Sequence, residues 1–300
     1  MTISELTQTL RKTLQPLYDE REAAAIAHVY ACAKLGMQRY ELALRGNEPV
    51  EELLLADIQR DMERLAQGCP VQYVLGETEF CGLPFEVSPA VLIPRQETEE
   101  LVQMVVENFP GREWSRPALR ALWDIGTGSG CIAVSLAKML PGAEVFATDI
   151  SEEALSVARR NARRNGVEVT FACHDMADAD HLPFAGRQFD VIVSNPPYIP
   201  ASDRAAMHRN VTDYEPSLAL FVPDDDALWC YEAVARLAQR ALTPGGRLFV
   251  ETYHGFHEEI AAVFSRYGLR DIQSLRDLNG QLRFVTAVNG RDSVPASERL

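Results

Sequence analysis

Glycine occupies three alternate positions in the run Asp124-Ile125-Gly126-Thr127-Gly128-Ser129-Gly130. Without a Cβ the main chain can adopt positive φ and pass close to a ligand, so a strand-to-helix turn of this kind holds a nucleotide-type group at a helix N-terminus. A pyrophosphate fingerprint has the form G-x-G-x-x-G. Here the third glycine arrives one position early, at Gly130, and Cys131 follows it. The fit to a dinucleotide is therefore imperfect.

Charge adds to that reading. Asp124, Asp149 and Asp175 end or follow successive strand-like runs, and negative charge gathered there opposes a pyrophosphate and attracts a cation. S-adenosylmethionine, a nucleoside bearing a sulfonium and an ammonium, has the matching sign. Asp149 comes nineteen residues after Gly130, where a carboxylate at a strand end can accept bonds from both ribose hydroxyls. The plainer reading makes Asp149 or Ser151 a cap for the helix that follows.

The second segment is Asn195-Pro196-Pro197-Tyr198, directly after Val191-Ile192-Val193-Ser194. That places it at the C-terminal end of a strand, where open α/β sheets bind ligands. Two prolines remove two N–H donors and fix φ, so the segment offers carbonyl acceptors in a rigid frame beside the Asn195 amide oxygen. Such a frame selects an –NH₂ group and can hold its nitrogen in line with a sulfonium methyl, while Tyr198 covers the flat group that carries it. Its plainer reading is a proline-stiffened turn.

The elements that must position these residues can be read from periodicity. Apolar residues recur at helical spacing over residues 3–67, with breaks at Pro16, Gly36 and Gly46-Asn47-Glu48-Pro49, which predicts a small helical domain. Residues 71–75 and 83–87, followed by Ala90-Val91-Leu92-Ile93-Pro94, read as a short bridging sheet. A helix opens near Glu97. From residue 119 onward strands and helices alternate, with strands expected at 119–125, 144–148, 167–172, 189–194 and 247–252, and helices at 130–140, 152–165 and 227–241. That alternation predicts a parallel sheet with helices on both faces. Residues 270–275 and 282–288, separated by a loop containing Asn279-Gly280, predict an antiparallel hairpin at its end. The expected organisation is a helical domain at 1–70, a β connection at 71–94, an α/β domain at 95–289 and a polar tail at 290–300.

Composition bounds the function. The chain has 300 residues, 47% of them apolar, and a net charge of −14. That suits one large or two modest folded domains, and the charge repels duplex phosphate, so DNA is a poor first substrate. The six cysteines, Cys32, Cys69, Cys81, Cys131, Cys173 and Cys230, form no C-x-x-C pair, which suits a reducing compartment. The first residues lack a basic region followed by an apolar one, and no apolar run is long enough for a membrane span, so a cytoplasmic protein is expected. His254 and His257, beside Glu258 and Glu259, lack a third cluster of ligands, and no metal is expected. Asp224-Asp225-Asp226 reads as a solvated loop with Asp226 capping the next helix, and Glu113-Trp114-Ser115-Arg116-Pro117 as a linker.

Taken together these segments resemble the peptide chain release factor glutamine methyltransferases of the HemK/PrmC type. The resemblance covers most of the chain and includes Glu79-Phe80, Phe85-Glu86-Val87 and the discriminating run Leu92-Ile93-Pro94-Arg95-Gln96-Glu97-Thr98-Glu99, since Asn-Pro-Pro-Tyr is shared with amino-methylating DNA enzymes. It implies a class I S-adenosylmethionine-dependent methyltransferase fold, a Rossmann-like, mostly parallel seven-stranded sheet ending in an antiparallel hairpin, behind a helical N-terminal domain that recognises the protein substrate. It implies methylation of the glutamine of the GGQ motif in class I release factors, with Gly126, Thr127, Gly128, Ser129, Gly130, Asp149, Asp175, Met176 and Asn195 at the cofactor. Asn195, Pro196, Pro197 and Tyr198 hold the glutamine, and Asn195, Pro196 and Tyr198 serve catalysis. Some relatives carry a tryptophan near adenine where this chain has Met176, whose sulfur can pack on a ring. Arg95 either lines a junction between domains or pairs with Glu97 and Glu99. Rival substrates are a glutamine of a large-subunit ribosomal protein and an extruded DNA base; a non-catalytic cofactor-binding module is the rival from another class.

Overall fold

In a computed structural model, residues 1–109 and 120–290 are described. They divide into two compact units, residues Met1–Thr78 with Met207–Glu215, and residues Glu79–Ala206 with Pro216–Leu300.

The first unit is helical. Its elements are α1 (Ile3–Leu14), α2 (Glu20–Leu35), α3 (Arg39–Leu44), α4 (Glu52–Ala66) and α5 (Val71–Leu75). Thr2 and Glu5 form a capping box on α1, Asp19 caps α2, and Gly36 ends α2 at φ 63°. Leu6, Leu10, Ala27, Tyr30 and Ile58 fill the core. Inside it the Tyr30 hydroxyl and Lys34 Nζ both donate to Asp61, each at 2.7 Å. Residues 71–75, expected as strand, are helix α5. Pro70 precedes it, Val71, Tyr73 and Val74 are buried, and Gly76 closes the turn at φ 77° through its N–H to Gln72 O. Apolar runs this short do not distinguish strand from helix.

Strand β1 (Glu77–Phe80), which spans the boundary at Thr78, and β2 (Leu83–Glu86) form a two-stranded sheet. Ala90-Val91-Leu92-Ile93 is irregular and not strand. Then come α6 (Gln96–Asn108), β3 (Ala121–Ile125), α7 (Cys131–Met139), β4 (Glu144–Asp149), α8 (Glu152–Asn165), β5 (Thr170–Cys173) and β6 (Phe189–Ser194). After β7 (Ile199–Pro200) the chain enters α9 (Arg209–Thr212), which belongs to the first unit, and returns at β8 (Phe221–Val222). The second unit ends with α10 (Trp229–Ala241), β9 (Leu242–Glu251), α11 (His257–Arg266), β10 (Leu269–Arg276) and β11 (Leu282–Asn289).

Seven strands form the main sheet in the order β10-β11-β9-β6-β3-β4-β5, parallel except for β11, which runs antiparallel to both β9 and β10. Helices α6, α7 and α8 cover one face around Leu122, Val191 and Phe249, and α10 and α11 cover the other around Trp123, Ile192 and Leu248. This is the expected architecture, with three local corrections, the first being that β9 starts at Leu242 and not at 247. Strand β5 starts at Thr170, not 167, because Gly166 adopts φ 65° as the cap of α8 and Val167 N–H bonds back to Ala162 O. Asp226 does not cap α10, since Asp224–Asp226 form a 3-10 turn and α10 begins after Leu228. The expected linker at Glu113 to Pro117 and the tail beyond Gly290 lie outside the described residues.

Candidate active site

The order of the sheet explains where the site must lie. From β3 the chain builds outward through β4 and β5, then returns to β6 on the other side of β3. Between β3 and β6 the connections therefore diverge, which opens a crevice at the strands' C-terminal ends. Both motifs sit there. Ile125 pairs with Ser194 across β3 and β6, and the Ser194 hydroxyl donates to Ile125 O at 2.7 Å, so Gly126 and Asn195 leave adjacent strand ends that are tied together.

A cleft open to solvent is lined by Gly126, Thr127, Gly128, Ser129, Asp149, Asp175, Met176, Asn195 and Pro197. Of the expected site residues, Gly130, Pro196 and Tyr198 are not on its wall. Gly130 is the N-cap of α7 at φ 81°, where an added Cβ would stand 3.0 Å from Ala158 Cβ on α8. It is glycine because the turn and the neighbouring helix leave no room. Pro196 is buried, and Tyr198 is half-buried with its hydroxyl donating to Glu251 Oε1 at 3.0 Å.

The glycine loop is braced from both sides. Gly126 N and Thr127 N donate to Thr148 O at 2.9 and 2.8 Å, and Gly128 N donates to Asp149 Oδ2 at 2.8 Å. The other Asp149 oxygen accepts from Ser151 N at 2.9 Å, while Ser151, not Asp149, caps α8 by accepting from Ala154 N. Each Asp149 oxygen keeps a further lone pair. Burial pushes the Asp149 carboxyl up from its ordinary range, against the pull of these N–H donors.

Asp124 does not line the cleft. It lies beneath the loop, 1% exposed, with Oδ2 accepting from Thr127 Oγ1 at 2.6 Å and from Ala133 N at 3.2 Å. Burial raises its pKa to about 7, so it braces the loop and adds less negative charge to the cleft than three strand-end carboxylates suggested.

Several residues on the site carry no local sequence signal of that role, Arg95 and Thr98 entering only through the resemblance. Arg95, Thr98, Leu218 and Trp229 line the cleft; Trp229, at the start of α10, supplies an aromatic wall that the Met176 position lacks. Asn161 on α8 is fully buried, accepting from Glu86 N at 2.6 Å and donating to Glu86 O and Ser129 O at 2.9 Å each. It thereby joins β2 and the glycine loop to one side chain. Among the described residues no group of three or more His, Cys, Asp or Glu side chains could hold a metal.

The residues present suit S-adenosylmethionine. Asp149 offers paired acceptors for a diol, Met176 and Trp229 offer apolar surface for a base, and Asp175 adds negative charge for a cation.

Sheet order, terminal hairpin and strand-end cleft define a class I S-adenosylmethionine-dependent methyltransferase. Residues 118–283 match the family described as a methyltransferase domain, and residues 5–76 the PrmC N-terminal domain. A release factor glutamine methyltransferase of Bacteroides thetaiotaomicron is 40% identical over 95% of this chain and 99% of its own length. Those of Flavobacterium psychrophilum and Geobacter sulfurreducens are 38% and 41% identical, over 95% and 84% of this chain and 98% and 85% of their own. The chain belongs to the release factor glutamine methyltransferase family. Its fold is shared with a Thermus thermophilus 16S rRNA N2 G1207 methyltransferase at a TM-score of 0.50 and 18% identity, over 71% of this chain and 49% of that one.

Proposed function

We propose that the protein transfers a methyl group from S-adenosylmethionine to the side-chain amide nitrogen of the GGQ glutamine of a class I release factor. The observation that carries this reading is the Asn195-Pro196-Pro197-Tyr198 strand end tied beside the glycine loop and Asp149, in a chain with full-length relatives of that name.

When bound, S-adenosylmethionine supplies an electrophilic methyl on a sulfonium. Asp149 would accept from its ribose hydroxyls, the loop at Gly126 to Ser129 would pass close to it, Met176 and Trp229 would offer apolar surface to its base, and Asp175 would add negative charge. Asn195 Oδ1 and the Pro196 carbonyl accept from the two hydrogens of the glutamine –NH₂, while the prolines keep both acceptors fixed. That aims the amide nitrogen along the line of attack. Methyl transfer from the sulfonium to a nitrogen so held would need no strong base from the chain, because the proton displaced from the amide could pass to water. Orientation of this kind accounts for roughly 7–11 kcal/mol of barrier lowering in comparable reactions.

The helical unit, residues Met1–Thr78 with Met207–Glu215, recognises the release factor, the other unit carries out the transfer, and the enzyme works in the cytoplasm, where translation termination takes place. No helix among the described residues is long and apolar enough to cross a membrane.

Mass spectrometry of release factor incubated with enzyme and labelled cofactor tests the assignment. Label is expected on the GGQ glutamine. Label instead on a ribosomal-protein glutamine, or on duplex DNA, would move the activity to one of those substrates.

A further inference from the structure

The run of residues around Arg95 to Glu99 is the most discriminating part of the chain's resemblance, yet the reaction above assigns it nothing. Thr98 lies in the first turn of α6, 2% exposed, at the cleft wall. Its hydroxyl Oγ1 stands 2.7 Å from Glu251 Oε2, and Asn195 Nδ2 stands 3.1 Å from Thr98 Oγ1. Glu251 ends β9, next to the strand that delivers Asn195, and is 1% exposed. Its other oxygen accepts from the Tyr198 hydroxyl at 3.0 Å.

The direction of this chain follows from donor and acceptor counting. A carboxylate only accepts, so the Thr98 hydroxyl spends its one proton on Glu251. What remains on Thr98 is lone pairs, which accept from an N–H and repel a carbonyl oxygen. Asn195 must therefore turn its –NH₂ toward Thr98. Its Oδ1 then faces the cleft, as an acceptor for a substrate –NH₂. Were the amide reversed, it would offer a donor to a donor, and the glutamine would lose one of its two anchors. We infer that Glu251 and Thr98 are positioning residues that set the orientation of the Asn195 amide, with Glu251 also fixing Tyr198 so that both ends of Asn195-Pro196-Pro197-Tyr198 answer to one buried carboxylate. This inference rests on the function proposed above.

Burial works against the carboxylate and raises its pKa, while the bonds from Thr98 and Tyr198 and the nearby Arg283 favour the charged form. Arg283 itself is paired with Asp277, its Nε 3.3 Å from Oδ2. Glu251 thus depends on its two hydroxyl donors, which fits a carboxylate placed to orient them.

The test uses the full chain and single-turnover methylation of release factor at saturating cofactor, comparing wild type with Thr98→Val, Thr98→Ser and Glu251→Gln. Thr98→Val keeps the shape and removes the relay. It is expected to slow methylation by about 10²-fold, the usual consequence of misplacing a reacting group by an ångström, with the cofactor Kd from calorimetry within about twofold of wild type, as a change confined to alignment predicts. Thr98→Ser restores the hydroxyl and most of the rate. Glu251→Gln presents an amide that can donate to Thr98, frees the reversed arrangement, and slows methylation as Thr98→Val does; if it does not fold, the two Thr98 variants decide. Thr98→Val at the wild-type rate, Thr98→Ser as slow as Thr98→Val, or a parallel loss of cofactor binding overturns the relay. A wild-type enzyme that labels no release factor glutamine overturns the proposed function instead.

Discussion

At the scale of single residues the site separates side chains that line the cleft from side chains that hold the loop. Asp149 does both. Asp149→Ala removes acceptors for the ribose diol and also releases Gly128 N and Ser151 N. Charged hydrogen bonds of this kind contribute roughly 1.5–3 kcal/mol, so cofactor affinity should fall by at least tenfold in calorimetry. Unchanged affinity would leave Asp149 as a backbone brace only. Asn195→Ala is the complementary case: turnover should drop by about 10²–10³ while cofactor affinity falls much less. A near-normal turnover would leave the amide held by the Pro196 carbonyl alone.

Asp124 makes a prediction about pH. Its folded pKa of about 7 lies above the ordinary aspartate value of 3.8, with burial as the main cause. Between those values the folded protein binds a proton that the unfolded chain does not, so this group's contribution to stability declines as pH rises across that window and is level above it. Asp124→Asn cannot ionise. Thermal unfolding of cofactor-free protein from pH 5 to pH 8 should show the difference between mutant and wild type moving in the mutant's favour as pH rises. A constant difference would mean that Asp124 ionises normally.

At the scale of elements, α8 carries more of the site than its sequence suggests. Asn161→Ala would strand Glu86 N, Glu86 O and Ser129 O, all served by one amide. Each buried group left without a partner costs about 1–3 kcal/mol, so urea unfolding should show a loss of several kcal/mol together with weaker cofactor binding, because Ser129 is in the loop. A loss confined to stability would mean the loop keeps its shape without Asn161. The sheet, the glycine loop and the Asn195 tetrapeptide were legible from sequence because each has a local cause, namely periodicity, positive φ and paired prolines. Asn161, Glu251, Trp229 and the role of Thr98 were not, because their partners lie 32 to 153 residues away, as with Asn161–Ser129 and Thr98–Glu251, or are brought to the cleft only by the fold. Helix α5 was misjudged for the opposite reason: five residues carry too little periodicity to choose between forms, and Pro70 and Gly76 decided it.

At the scale of the whole molecule, the chain order and the compact units disagree in one informative place. Residues Met207–Glu215 follow the tetrapeptide strand in sequence yet cluster with the N-terminal helices. Their anchors are specific. The His208 ring stacks on Tyr18 with centroids 5.0 Å apart and 23° between planes, His208 Nε2 bonds to Leu17 O at 3.1 Å, and the Tyr214 hydroxyl donates to Gln67 O at 3.0 Å. A stacked aromatic pair is worth about 0.5–1.5 kcal/mol beyond its buried area, and a double-mutant cycle on Tyr18→Ala and His208→Ala should return a coupling of that size. The same substitutions should speed hydrogen exchange in residues 207–215 and leave the amides of β3 and β6 protected as before, since those strands belong to the other unit's core. If the helical unit recognises the release factor, the double mutant should also raise KM for that protein while the cofactor Kd holds. Equal loosening of β3 and β6, or a changed cofactor Kd, would mean that this segment supports the methyltransferase unit and not the helical one.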